Sequence, residues 1–311
     1  MKQCPRMTDR FPKFLRHPYL LLTLTALFWS GNVVLGRAIR ADVPPLALAF
    51  WRWVVSLMLT LPLALPHLRR QWPLLRRAWK PVVALGLLGV GMYNTFAYLA
   101  LQSTPATNVV LLNSFIPVAT LALSRLFLKQ QLRPVQWAGV LLSLCGVAAI
   151  VSRGSFLALA GLQLNVGDLW MLGGIFAWAV YTIGLQWRPA GVHPMLLLMA
   201  FIVVGLLALA PAYGWEIARG RLIVMGNGAL GGIVYTGLFP GFIGYIFYNR
   251  AVGEVGASKA SLFIHLMPVF GTLLAALFLA EIPRPYHYAG IALIISGIYL
   301  TTAAAPGAAA S

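Results

Sequence analysis

The chain has 311 residues, 60% of them hydrophobic and 9% charged, with a formal net charge of +17. Soluble domains carry about 25% charged residues, so this composition excludes a water-soluble globular domain. At roughly 20 apolar residues per span, the length accommodates about ten membrane spans and no sizeable soluble domain. The two cysteines, Cys4 and Cys145, provide neither a disulfide framework nor a metal-ligand spacing. The basic residues are scattered over connections rather than gathered into a nucleic-acid-binding surface. No cofactor, metal or nucleic-acid partner is expected; the lipid bilayer and a small-molecule substrate are.

Residues 1–18 read as a basic tail. The apolar run after it ends in Gly36-Arg37 with no small-residue cleavage site, so it reads as a retained first span. Hydropathy, broken by Pro, Gly and basic clusters, places the first five spans at Tyr19–Ala38, Pro45–Pro66, Pro81–Gln102, Ala106–Leu128 and Pro134–Ser152. The next five fall at Gly167–Gln186, Met195–Gly214, Met225–Tyr248, Gly256–Leu279 and Pro285–Thr302, before a short tail at 303–311. Continuous apolar runs of this length fit helices rather than barrel strands. The expected class is an all-α integral membrane protein with ten transmembrane helices.

Short loops rich in Lys and Arg stay cytoplasmic. Sixteen basic residues fall on the side of the N-terminal tail, among them Arg69, Arg70, Arg76, Arg77 and Lys80, and six on the other: Arg37, Arg40, Arg153, Arg219, Arg221 and Arg284. Both termini are therefore expected in the cytoplasm, in a multi-pass protein of the inner (plasma) membrane.

Residues 126–146 match residues 277–297 at an offset of 151. Leu126-Phe127-Leu128 falls on Leu277-Phe278-Leu279, Arg133-Pro134 on Arg284-Pro285, Ala138-Gly139 on Ala289-Gly290, Gly146 on Gly297 and, upstream, Pro117-Val118 on Pro268-Val269. Two units of five spans, 19–152 and 167–302, are expected. Five is odd, so the second unit must enter the membrane upside down. That is the inverted-repeat plan of secondary transporters, with solute bound near the midplane between the halves.

Phe28-Trp29-Ser30-Gly31-Asn32, Phe50-Trp51-Arg52 and the twice-repeated Pro, aromatic, Gly, Gly pattern (Pro134, Trp137, Gly139, Gly146; Pro285, Tyr288, Gly290, Gly297) resemble the EamA-type branch of the drug/metabolite transporter superfamily. The first two motifs also resemble the YddG-type (aromatic) amino-acid exporters. The resemblance covers nearly the whole chain after the tail and implies ten spans arranged as five plus five. The acidic residue that members often carry after span four or nine is present as Glu281 but is Gln130 in the first unit.

Ionisable groups inside spans are costly and mark functional candidates. All six acids (Asp9, Asp42, Asp168, Glu216, Glu254 and Glu281) fall in the tail, a connection or the last turn of a span. This argues against proton coupling through a buried carboxylate and for uncoupled, facilitated transport. His265 is the mid-span group that titrates near neutrality. With it, the candidate substrate-binding set is Trp29, Asn32, Tyr93, Tyr98, Asn113, Trp178, Tyr181, Tyr245 and Tyr248, with Asn94 and Asn249 behind them. Trp29-x-x-Asn32 and Trp178-x-x-Tyr181 each place two residues on one helical face and read as matching elements. Both tryptophans lie about ten residues into their spans, roughly 15 Å deep.

Such a lining holds a zwitterionic or aromatic solute by stacking, neutral hydrogen bonds and a cation–π contact. Trp51, Trp53, Trp72, Trp79, Trp170, Trp187 and Trp215 sit near span ends and read as interfacial anchors. Arg52, about one and a half turns into span two, is able to bind an anion or carboxylate, but snorkelling outward or pairing with Asp42 is the simpler expectation. Pro117 and Pro268 occupy matching midpoints and are hinge candidates. Gly139/Gly146 and Gly290/Gly297 suit close packing of spans five and ten. Gly86 to Gly91 follows no strand, so a phosphate loop is excluded.

The expected function is export of small metabolites by alternating access through a central neutral aromatic cavity, in a monomer. Amino acids with aromatic or other neutral side chains are the solute that the resemblance implies. A multidrug, nucleotide-sugar or sugar-phosphate carrier is the alternative within the fold. A membrane-embedded enzyme would need a nucleophile with its base, paired carboxylates or a metal cluster, which no span supplies.

Overall fold

The computed structural model describes residues 17–104, 106–130, 133–155, 165–278 and 284–303; Asp9 and Glu281 lie outside them. Every regular element among the described residues is helical, and nine segments are long and apolar enough to cross a membrane. With no water in the bilayer core, backbone groups must be satisfied within the chain, and the helix is the local solution.

Helix α1 (Pro18–Ala38) opens on a proline, whose missing N–H costs nothing in a first turn. Helix α2 (Pro45–Arg77) runs for 33 residues with Pro62, Pro66 and Pro73 inside it. The expected end at Pro66 is therefore corrected. At 1.5 Å per residue α2 is about 50 Å long, longer than the hydrocarbon layer, and its last turns carry the basic cluster clear of it. The third span is composite: α3 (Trp79–Leu85), a π-helical turn at Gly86–Met92, and α4 (Tyr93–Ser103). The fourth is broken between α5 (Ala106–Asn113) and α6 (Ile116–Leu128), and α7 (Pro134–Val151) completes the first half.

The second half repeats these irregularities. Helix α8 (Val166–Gly184) is capped by Asn165, whose side chain accepts from the Gly167 and Asp168 N–H groups while Asp168 accepts back from the Asn165 N–H. After α9 (Pro194–Ala218) comes a second composite span: α10 (Asn227–Thr236), a π-helical turn at Gly237–Ile243, and α11 (Gly244–Val255). The two π turns begin 151 residues apart, at Gly86 and Gly237. Gly256, at φ 85°, separates α11 from α12 (Ala257–Leu262) and fits a backbone conformation that side chains oppose. A tight 3₁₀ turn at Phe263–His265 leads into α13 (Leu266–Phe278), and α14 (Pro285–Ala303) ends the described chain.

Helices α7 and α14 lie antiparallel along their glycines. A Cβ on Gly139 would stand 2.6 Å from the Gly297 carbonyl oxygen, and one on Gly146 would stand 2.6 Å from that of Gly290. Elsewhere the halves grip each other reciprocally. A Cβ on Gly86, in the first π turn, would meet the Phe201 carbonyl oxygen of α9 at 3.0 Å, and one on Gly237, in the second, would meet that of Arg52 in α2 at 2.7 Å. Close approach of backbones is what association in lipid requires, because no hydrophobic effect drives it there.

The π turns free carbonyls from the helical ladder, and side chains from other spans satisfy them. Trp53 Nε1 donates to Val90 O at 3.1 Å, Tyr245 OH donates to Gly89 O, Trp29 Nε1 donates to Pro240 O at 3.2 Å, and Ser56 Oγ donates to Gly237 O at 2.7 Å. The irregular backbone thereby fixes the aromatic side chains at the centre of the bundle.

Candidate functional site

Trp29 of α1 and Trp178 of α8 meet edge to face at 87°, with ring centroids 5.0 Å apart. Tyr245 and Tyr248 of α11 close on them, at 5.6 and 5.2 Å from Trp178. Tyr93 of α4 packs on the same indole at 4.7 Å. Such pairs contribute about 0.5–1.5 kcal/mol each beyond burial, so the cluster is a stiff centre rather than a loose lining.

Against it lies a cavity of about 30 Å³, walled by Trp29, Asn32, Tyr93, Asn94, Asn113, Trp178 and Tyr245 together with Val33, Ala97, Val109, Val110, Met171 and Met267. That is room for about two water molecules, so the chamber must widen to admit an organic solute. Two of its hydrogen bonds run between wall residues: Tyr93 OH donates to Asn113 Oδ1 at 2.9 Å, and Asn94 Nδ2 donates to Tyr245 OH at 3.3 Å. Trp178 Nε1 is buried without a partner.

The wall thus gathers Trp29, Asn32, Tyr93, Asn113, Trp178 and Tyr245 from the expected set. Tyr98, Tyr181 and Tyr248 stand one layer behind. His265 is elsewhere. It is fully buried, with Nε2 2.8 Å from the Ser114 carbonyl oxygen and Nδ1 2.7 Å from Ser143 Oγ. A carbonyl only accepts, so Nε2 carries the proton. Both ring nitrogens are engaged by protein groups, and His265 does not line the chamber.

Pro117 sits in the first turn of α6, directly after the break at Ser114–Phe115, and Pro268 follows the tight turn that ends at His265. The carbonyl of Ser114, at the break, is the one that His265 satisfies. Both spans are interrupted upstream of their prolines rather than bent at them.

Two hydrogen bonds of the same kind flank the chamber. Tyr98 OH of α4 donates to Asn32 Oδ1 of α1 at 2.7 Å. Tyr181 OH of α8 donates to Asn249 Oδ1 of α11, also at 2.7 Å. Asn32 and Tyr181 are 149 residues apart and Tyr98 and Asn249 are 151 apart, so each half bridges its first and third spans with one Tyr–Asn bar, the residue types exchanged. Beyond the second bar opens a cleft of about 960 Å³, with Phe201, Asn249 and Leu185 in its wall, Arg188 at a connection and Arg250 and Glu254 in the last turns of α11. Tyr181 packs edge-on against Phe201 at 6.3 Å, and Trp178 lies against Tyr181 at 5.1 Å. The order from cleft to chamber is therefore Phe201 and Asn249, then Tyr181, then Trp178.

The first bar is reinforced. Arg52 is 1% exposed, and its Nη1 donates to Asn94 Oδ1 at 2.6 Å, Tyr98 OH at 2.7 Å and Asn32 Oδ1 at 3.4 Å. The guanidinium also lies over the rings of Trp53 and Tyr98 at 5.1 and 5.8 Å. Neither snorkelling nor a pair with Asp42 is observed. Trp53 is likewise no interfacial anchor, being 0% exposed and fixed to the π turn. In the sequence Arg52 is an anion or carboxylate candidate expected at the surface and Trp53 an expected anchor; Met171 and Met267, which line the chamber, were not singled out. The matched glycine clusters at residues 86–91 and 237–241 were the signal for the π turns, the first of which holds Trp53.

Fold and site together describe a polytopic membrane protein with a small, neutral aromatic chamber beside two matched Tyr–Asn hydrogen bonds, and its family makes it a transporter. The EamA-like transporter family matches residues 17–152 and 165–303, and the chain belongs to that family. It is 25% identical over 283 residues to an uncharacterized transporter, YyaM, of Bacillus subtilis (strain 168), covering 90% of this chain and 92% of that protein. It is 29% identical over 296 residues to an uncharacterized transporter of Archaeoglobus fulgidus, covering 92% and 97%. A probable terminal-alkyne amino-acid exporter of Streptantibioticus cattleyicolor is 27% identical over 221 residues, covering 71% and 72%. A solved crystal structure superimposes with a TM-score of 0.74 at 21% identity, covering 92% of this chain and 96% of the other, which supports the fold alone.

Proposed function

We propose that the protein exports small zwitterionic metabolites, foremost amino acids with aromatic or other neutral side chains, by alternating access between two inverted five-span units at 19–152 and 167–302. The observation that carries this reading is the neutral aromatic chamber with a matched Tyr–Asn hydrogen bond beside it in each half, which we read as its two gates. Opening the bars in turn exposes the chamber to either side. The paired π turns, the antiparallel α7–α14 crossing and the reciprocal contacts of α2 and α9 support the inverted plan, with α14 as a tenth span. The excess of basic residues on one side supports cytoplasmic termini in the inner membrane, and the named amino-acid exporter among the relatives supports the solute class.

No carboxylate among the described residues lines the chamber, and His265 is engaged on both nitrogens, so transport runs down the solute gradient without protons. The test is counterflow in proteoliposomes with a panel of labelled amino acids, with and without an imposed pH gradient, repeated on Trp178→Ala. Aromatic and neutral amino acids exchange at a rate indifferent to the gradient, and Trp178→Ala loses at least tenfold in apparent affinity for the aromatic ones. Failure of every amino acid refutes the solute class, and a required pH gradient refutes the uncoupled mechanism.

A further inference from the structure

Arg52 is a buried cation without a counter-ion. Among the described residues no carboxylate pairs with it; the recorded ion pair is Arg250 with Glu254, far along the chain in α11. Its three hydrogen bonds all leave from Nη1 and end on neutral oxygens, while Nε is buried with no partner. Removing such an ion from water is unfavourable, and neutral acceptors offset the loss only in part. Two of its three partners, Asn32 and Asn94, are wall residues of the chamber, so the charge stands one side chain behind the solute space. The chamber wall also presents a second unsatisfied donor, Trp178 Nε1.

We propose that Arg52 recognises the carboxylate of the transported solute, and that in the empty protein it is parked on the Asn32–Tyr98 bar. This rests on the reading of the chamber as the solute path. A guanidinium offers a rigid fork of donors that matches a carboxylate, and its unengaged Nε edge supplies what the neutral amides cannot. A carboxylate that takes Arg52 competes with Asn32 and Tyr98 for the same guanidinium and loosens that bar. The second half has Phe201 where the first has Arg52, by the matching backbone contacts to Gly86 and Gly237. The bar beside the cleft therefore has no buried guanidinium on its side-chain hydrogen bond; the exposed Arg188 meets Asn249 there through the backbone carbonyl, at 3.1 Å, and not through the Tyr181–Asn249 bond. A solute arriving through the cleft releases the far bar and leaves the near one unaffected, so occupancy itself selects which end opens.

The experiment is inhibition of labelled phenylalanine counterflow in proteoliposomes by two isosteric pairs, phenylalanine against phenylalaninamide and 3-phenylpropionate against 3-phenylpropionamide. A lost hydrogen bond to a charged group corresponds to about a tenfold to hundredfold change, and each amide is expected to inhibit more weakly than its acid by that factor. In Arg52→Gln the acid and amide of each pair fall within about threefold of one another. Should Arg52→Gln not elute as folded protein, Arg52→Lys replaces it, and the preference shrinks because the charge remains without the fork. Amides equal to acids in the wild type, or an undiminished preference in the folded variants, overturns the proposal while the amino-acid reading stands. If no amino acid moves, that reading falls separately, and direct uptake of labelled 3-phenylpropionate decides for Arg52: uptake abolished by Arg52→Gln sustains it, and no uptake in the wild type overturns it.

Discussion

Removing one hydroxyl from each bar is expected to open opposite ends of the chamber to different degrees. Hydrogen bonds between transmembrane helices contribute about 0.6 kcal/mol on average and up to about 1.7. Tyr181 makes one such bond, to Asn249, so Tyr181→Phe shifts the closed-to-open ratio at the cleft side by about threefold to twentyfold, at about 1.4 kcal/mol per decade. Tyr98 takes part in two, accepting from Arg52 and donating to Asn32. By the same arithmetic Tyr98→Phe shifts the other side by about eightfold or more. The assay introduces Ala97→Cys, a chamber-wall position, into a background with Cys4 and Cys145 replaced by Ser. The labelling rate by a membrane-impermeant maleimide is then measured in right-side-out and inside-out vesicles. Tyr98→Phe should accelerate labelling from the side of the Arg37–Asp42 connection, and Tyr181→Phe from the side of the Arg188 connection. Acceleration from the same side in both, or a change under twofold in both, refutes the assignment of the bars as opposing gates.

Two further outcomes follow from packing and charge. Gly146→Leu drives a side chain against the Gly290 carbonyl oxygen, 2.6 Å from where its Cβ would lie. Helices α7 and α14 must then separate, with a loss of about 1–3 kcal/mol that a thermal melt in detergent detects; Gly214→Ala, with nothing within 4 Å, should leave the melt unchanged. His193, at the entry to α9, accepts from the Met195 N–H at 3.3 Å through Nδ1 and stacks on His67 at 3.8 Å. Burial, and then the neighbouring His67, hold its pKa below the ordinary 6.5. The unfolded chain therefore binds this proton first as pH falls below about 6.5, and stability declines through that window until the folded form also protonates. His193→Gln should flatten the decline in melting temperature; an unaltered slope refutes the contribution.

The all-helical membrane class, nine of the ten expected apolar spans and the close packing of α7 and α14 along their glycines were legible in the sequence; that Trp29 and Trp178 touch was not. Desolvation of the backbone and close helix contact act on local composition and spacing, which a linear reading captures. Helix α2 runs past the expected span end at Pro66, with Pro62, Pro66 and Pro73 all inside it, because a proline disfavours a helix on average without ending every one. The π turns, the two bars and the fate of Arg52 depended on partners far apart in the chain, such as Trp29 and Pro240, separated by 211 residues. The charge of Arg52 is written in the sequence. That it lies buried on neutral oxygens beside the chamber, and not at the membrane surface, is decided by α4 arriving with Asn94 and Tyr98 to meet it. The length, the 60% apolar content and the scarcity of acids determined a membrane bundle with few internal carboxylates. Only the folded chain determined where Arg52, the buried cation among the described residues, stands, because an ion's cost and use depend on the dipoles packed around it in three dimensions.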